Sequence, residues 1–166
     1  PSIPRPQPPS AMPITEDTSE WDATAWKNKG NEFFKQQEWN EAVACYSTAI
    51  EWEPRNKVHF SNRSTAYTKM EDYGKAKLDA DMCIDLDPAW PKGWWRKGTA
   101  QLEAQEYKDA IKTFERGLEY HPTDTNLVEG KKKAVQFAAA LDSVIGATYG
   151  NDNFDIDAPS TRNSAP

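Results

Sequence analysis

The sequence predicts an all-α fold, a right-handed solenoid of three helix-turn-helix repeats closed by a C-terminal capping helix. Three observations carry this. Aromatic, small and proline positions recur every 34 residues: Trp39, Tyr73 and Tyr107; Ala42, Ala76 and Ala110; Pro54, Pro88 and Pro122. Gly30 and Gly98 stand two such periods apart. After the last of these prolines, Leu127, Ala134, Phe137, Ala138, Leu141 and Ile145 follow at helical spacing. A fixed period of this length at constant phase marks stacked helix pairs, and a further amphipathic helix covers the face that the last pair leaves bare.

Counted from Ala23, the repeats run 23–56, 57–90 and 91–124. Position four is aromatic in each (Trp26, Phe60, Trp94) and position eight is small (Gly30, Ser64, Gly98). Position eleven is Phe33, Tyr67 and then Gln101, a departure. Positions 24 and 27 read Tyr46, Ala80, Phe114 and Ala49, Cys83, Gly117. Two helices cross closely only where side chains are small, and aromatics fill the space beside the crossing. The closing proline stops each second helix, because it lacks an amide and restricts the residue before it. Helices are expected near 22–36, 39–52, 57–70, 73–86, 91–104 and 107–120, with the capping helix over 125–147 and its Lys131, Lys132 and Lys133 on the outer side.

The length of 166 residues suits one domain with tails. Residues 1–20 carry six prolines among polar residues and read as a flexible arm, a linker or a short SH3-type ligand around Pro4–Pro9. The domain covers 21–147, and 148–166 reads as a flexible acidic and polar tail. A net charge of −6 argues against nucleic acid and anionic membranes as main partners. No apolar run approaches the ~18 residues of a membrane span. Cys45 and Cys83 lack metal-type or disulfide-framework spacing and are expected as packed thiols in a reducing, cytoplasmic compartment. The chain begins at Pro1 and is expected to be a fragment of a longer protein. A monomer is expected.

The phases Trp26, Gly30 and Phe33, with Ala42, Tyr46, Ala49 and Pro54, and their counterparts to residue 124, resemble the tetratricopeptide repeat. In that family the first helix of each pair lines a concave groove. Lys27, Asn31, Asn62, Lys92 and Arg96 then fall on groove-facing phases, and the pairs Lys27/Asn31 and Lys92/Arg96 are each one turn apart on one helix face. Cations and amides gathered on an otherwise acidic chain ask for a compact anion, and Arg offers a two-pronged fork to a carboxylate. Asn is uncommon inside helices unless used.

All five residues, in register, resemble the co-chaperone branch of the family with a two-carboxylate clamp. So do the strings Lys29-Gly30-Asn31, Ser61-Asn62-Arg63-Ser64 and Lys92-Gly93-Trp94-Trp95-Arg96-Lys97-Gly98. The resemblance implies a peptide-binding adaptor for the Glu-Glu-Val-Asp C-termini of heat-shock proteins 90 and 70. Lys27, Asn31, Asn62 and Arg96 are expected on the terminal carboxylates and Lys92 on the side-chain carboxylate. Phe34, Thr65, Lys69 and Thr99 are expected to meet the upstream peptide, with Phe34 as an apolar wall.

Other classes have less support. His59 and His121 lack the neighbours of a nucleophilic site, so no catalytic residue, cofactor or metal is assigned. The acidic stretch 151–157 lacks the Gly and terminal Glu of a calcium loop. An attached phosphatase or prolyl-isomerase domain remains an alternative. So does a scaffold that uses the groove for an internal peptide or another face through exposed Trp39, Trp52 or Trp90, with Trp39 better read as inter-helix packing.

Overall fold

The computed structural model describes Thr18 and residues 20–149, with side chains through Ile145. Most of the expected arm and all but the first two residues of the expected tail lie outside the described residues. Among the described residues every regular element is a helix: α1 (Ala23–Lys35), α2 (Trp39–Trp52), α3 (Lys57–Lys69), α4 (Tyr73–Leu86), α5 (Pro91–Glu103), α6 (Tyr107–Tyr120) and α7 (Thr125–Tyr149). The pairs α1/α2, α3/α4 and α5/α6 stack in chain order, with α7 against α6. α3 also packs on α5, and α5 on α7, so these first helices share one face. That face carries the groove.

The helix starts follow from short polar caps. Asp22 accepts from the Ala25 amide at 2.8 Å, Asn56 from Val58 at 3.1 Å, Asp72 from Lys75 at 3.2 Å and Asp124 from Leu127 at 3.0 Å. Pro91 opens α5, where a missing amide costs nothing. Each first helix ends in the same reversal, with Gln37, Glu71 and Gln105 at φ 64°, 60° and 62°. The next amide reaches five residues back, Glu38 to Phe33 at 3.0 Å, Asp72 to Tyr67 at 2.9 Å and Glu106 to Gln101 at 2.8 Å. This left-handed closure usually uses Gly. Here non-glycine residues carry it, so no sequence signal announced it.

The expected crossings are present. Trp26, Phe60 and Trp94 are buried, and Ala42, Ala76 and Ala110 have no exposed surface. Cys45 and Cys83 are buried free thiols pushed up to about 12 by desolvation, which keeps them protonated and inert. Arg63 grips buried Asp79 with two bonds of 2.8 Å and donates to Ser47 at 2.9 Å, tying α2, α3 and α4 together.

Three expectations need correction. α7 starts where expected and buries Leu127 and Ala134, but Phe137, Leu141 and Ile145 stay about half exposed. At 25 residues it outruns the 14-residue α6 on which it packs. The lysine run is not one outer face: Lys131 pairs with Glu115 at 2.9 Å, while Lys133 lines a cleft between α5 and α7. Trp52 and Trp90 are half-buried, not exposed, and Trp39 is half-buried in the inter-helix packing expected of it. Trp39 meets the Phe34 ring edge-on at 4.9 Å, Trp52 packs beside Trp26, Cys45 and Ala49, and the Trp90 ring lies 5.0 Å from the Lys57 ammonium. The aromatic outer face proposed for a scaffold is therefore spent on packing.

Candidate functional site

α1 presents Lys27 and Asn31, α3 presents Asn62, and α5 presents Lys92 and Arg96. Asn31 is fixed first. Its Oδ1 accepts from the Tyr46 hydroxyl at 2.9 Å and from Asn62 Nδ2 at 3.4 Å. With that oxygen engaged, the Asn31 amide nitrogen is left to donate elsewhere. Burial pushes the Tyr46 hydroxyl up to about 12, so it remains a donor at neutral pH. The Tyr46 ring reaches Asn31 because residue 30 is Gly: a Cβ there would lie 2.6 Å from Tyr46 Cε1.

Arg96 approaches from the other side. Its Nε donates to the buried Ser61 hydroxyl at 3.3 Å, and its guanidinium lies 4.6 Å from the Trp95 ring centroid. Desolvation pushes Arg96 down to about 10, only partly countered by Cys83 and Tyr46. Lys92, although exposed, is also lowered, first by desolvation and then by the like charge of Arg96. Lys27 is half-buried one turn before Asn31 on α1.

The other cations show why this matters. Lys57 pairs with Asp87, Arg63 with Asp79, Lys77 with Glu106 and Lys97 with Asp81, each across helices. Among the described residues no carboxylate pairs with Lys27, Lys92 or Arg96. A partly buried cation without a counter-charge is unfavourable until an anion arrives. The site is therefore incomplete in the way a receptor for carboxylates would be.

Thr65, Lys69 and Thr99 line a cleft of about 400 Å³ with Trp95 and Arg96. Phe34 is half-buried, with its ring edge-on to Trp39 at 4.9 Å and packed against the Ala42, Tyr46 and Ala66 cluster. Sequence reasoning missed Tyr46, Ser61 and Trp95. Tyr46 had a signal, being the hydroxyl-bearing residue at a phase that Ala80 and Phe114 otherwise fill. Ser61 and Trp95 sat beside chosen residues without a spacing of their own.

His59 Nε2 meets Glu53 at 2.8 Å, and His121 faces the Ala89 carbonyl. Among the described residues no group of three or more His, Cys, Asp or Glu is placed to hold a metal ion. No described helix is long and apolar enough to cross a membrane.

A family model for the tetratricopeptide repeat matches residues 23–56. The chain is 41% identical over 110 residues to Hsp70-Hsp90 organizing protein 2 of Arabidopsis thaliana, covering 66% of this chain and 19% of that protein. It is 45% identical over 92 residues to Serine/threonine-protein phosphatase T of Aspergillus oryzae, covering 55% of this chain and 19% of that one. The chain thus spans about a fifth of the length of these curated relatives. Among solved structures, the first TPR of Spaghetti (RPAP3) bound to HSP90 peptide SRMEEVD aligns with TM-score 0.65 and 31% identity, over 71% of this chain and 94% of that one. With its repeat phases, stacked helix pairs and this near-complete match to a solved domain, the chain belongs to the tetratricopeptide repeat family.

Proposed function

We propose that this domain is a co-chaperone adaptor module that captures the free, acidic C-terminus of a partner, the Glu-Glu-Val-Asp tail of heat-shock proteins 90 and 70. One observation carries the reading: Arg96 is held in a desolvated place with no carboxylate partner among the described residues, on the helix face shared with an Asn31 whose oxygen is already occupied. Lys27, Asn31, Asn62 and Arg96 take the terminal carboxylates, and Lys92 takes the side-chain carboxylate of the last Asp. The organizing-protein relative and the peptide-bound Spaghetti domain support that choice of partner. An arriving carboxylate raises the pKa of Lys92 and Arg96 back toward their ordinary values, so the charge that was costly in the empty groove becomes favourable.

The module itself does no chemistry. The phosphatase relative favours a second setting, in which the same module addresses an attached enzyme to a chaperone. Reduced, buried thiols suit a cytoplasmic place. Several charge-assisted bonds, less the cost of ordering a flexible tail, give an affinity near micromolar, about 8 kcal/mol. Calorimetric titration with a Glu-Glu-Val-Asp peptide, its C-terminally amidated twin and an Arg96→Ala variant tests this. Binding that disappears with the amide and the variant supports the clamp. Equal binding of acid and amide rejects it.

A further inference from the structure

The cleft of about 400 Å³ that Arg96 lines is also lined by two carboxylates of the chain itself, Glu71 and Glu103. Elsewhere in the domain such neighbours find each other: Lys77 meets Glu106 at 2.6 Å, Lys97 meets Asp81 at 2.7 Å, and Arg63 meets Asp79 at 2.8 Å. Arg96 pairs with neither glutamate, and among the described residues its hydrogen bonding is one Nε–H bond to Ser61 at 3.3 Å. What faces it is the Trp95 ring, whose centroid lies 4.6 Å from Arg96 Cζ. Arg63, which has its carboxylate, stands farther from its rings, 5.8 Å from Phe60 and 5.9 Å from Tyr67. Lys92 repeats the arrangement more loosely, with Nζ 5.9 Å from the Trp90 ring centroid and no carboxylate partner among the described residues.

We propose that Trp95 is a positioning residue of the clamp: its indole holds the Arg96 guanidinium where a counter-ion otherwise would, and keeps it from Glu71 and Glu103, so that its fork stays open for an arriving carboxylate. The inference rests on the clamp reading above. An indole suits this task where an internal carboxylate does not. Its electron-rich face attracts a cation, and the attraction strengthens in a desolvated place. The ring takes up no N–H: Ser61 accepts from Nε, and the donors of the two terminal nitrogens remain. An internal glutamate would occupy that fork, and a ligand would first have to displace it. Glu103 is the nearer threat along the chain. It follows Arg96 by seven residues on the same face of α5, ~10 Å at the helical rise, a gap that two long side chains can close by turning toward each other. A guanidinium already ordered on a ring also loses less freedom when the ligand binds.

The test titrates N-acetylated Glu-Glu-Val-Asp into the wild type, Trp95→Leu, Trp95→Phe, and Trp95→Leu combined with Glu71→Gln and Glu103→Gln. Trp95→Leu is expected to weaken binding about 5- to 20-fold, and Trp95→Phe, which keeps a ring face for the cation, at most about threefold. Removing both carboxylates from Trp95→Leu should restore most of the loss, whereas the same two changes in the wild type should move affinity less than about threefold. Proton NMR of the free protein supplies the second readout: the Arg96 side-chain signals should lie upfield under the indole and return to ordinary positions in Trp95→Leu. A Trp95→Leu affinity equal to the wild type overturns the proposal. So does a loss that persists in full without the two glutamates, because the ring would then act on the peptide directly. If Trp95→Leu does not fold, the wild-type spectrum decides, since Arg96 signals at ordinary positions would mean that no ring holds the guanidinium. In each of these cases loss of binding in Arg96→Ala leaves the clamp standing. Failure of the free-acid peptide to bind the wild type overturns the clamp reading and the role of Trp95 with it.

Discussion

Repeats one and three cross their helices in the same way and use the crossing differently. In repeat one Gly30 lies under the Tyr46 ring, and in repeat three Gly98 lies under the Phe114 ring; a Cβ would come within 2.6 Å and 2.4 Å of the respective rings. The Tyr46 ring ends in a hydroxyl that fixes Asn31. The Phe114 ring is pressed from the far side by Gly130 of α7, where a Cβ would also come within 2.6 Å. It has no room for a further atom. The groove residues diverge in step: Asn31 is held by two hydrogen bonds, whereas among the described residues Arg96 meets Ser61 and the Trp95 face and pairs with no carboxylate. Repeat one orients, and repeat three supplies unbalanced charge. Packing repeats with the period, while function lies in the polar atoms that break it.

The largest effect should come from the charge in repeat three. Arg96→Leu is expected to weaken binding of the acidic peptide at least about 100-fold, ~2.7 kcal/mol, while the thermal midpoint stays level or rises. The variant removes a desolvated cation whose partner is absent in the free protein. A clear fall in the midpoint would mean that Arg96 holds the fold and would break the division of labour. Next come the glycines. Gly30→Leu and Gly98→Leu should each cost ~3 kcal/mol through overpacking, offset by ~1 kcal/mol of helix propensity, a net loss of ~2 kcal/mol by urea denaturation. Only Gly30→Leu should also weaken binding in the protein that remains folded, because it displaces Tyr46 and frees Asn31. Equal binding losses for the two would show that both crossings serve the groove alike.

A smaller and sharper test exchanges the aromatics. Tyr46→Phe removes one oriented hydrogen bond and should lower peptide affinity about fivefold, ~1 kcal/mol. Phe114→Tyr should leave affinity unchanged but cost ~1–3 kcal/mol of stability, since the added hydroxyl presses on Gly130. A stable Phe114→Tyr variant would show that repeat three can accept the device of repeat one.

Much of this was legible in the sequence, for physical reasons. The period of 34 fixed the register and the closing prolines fixed the ends of the second helices, so α1 was expected over 22–36 and spans Ala23–Lys35. The phase, read with the family resemblance, placed Lys27 and Asn31 on α1, Asn62 on α3, and Lys92 and Arg96 on α5. Phase gives the direction of a Cα–Cβ bond but not where a long side chain ends. Lys133 reaches the α5–α7 cleft instead of the outer side for that reason. The left-handed residues Gln37, Glu71 and Gln105 escaped because their conformation is imposed by the helix closure and not by their own preference. The Tyr46 hydroxyl was visible as a letter, but its partner lies 15 residues away.

The smallest expected effect concerns the phase where repeat three departs from its siblings. Position eleven is Phe33, Tyr67 and Gln101, and Gln101 is 7% exposed with an Oε1 that meets no donor among the described residues. An unsatisfied buried acceptor costs about 1–3 kcal/mol against a hydrogen-bonded one. Leu fills nearly the same volume without that acceptor, so Gln101→Leu should raise stability by ~1 kcal/mol in urea, with an unchanged denaturant slope. Peptide affinity should not move, because Gln101 points into packing and not into either cleft. If affinity fell while stability rose, the amide would be an unfilled acceptor that the bound peptide completes. Repeat three would then hold an unmade hydrogen bond as well as an unpaired charge, and orientation would no longer belong to repeat one alone.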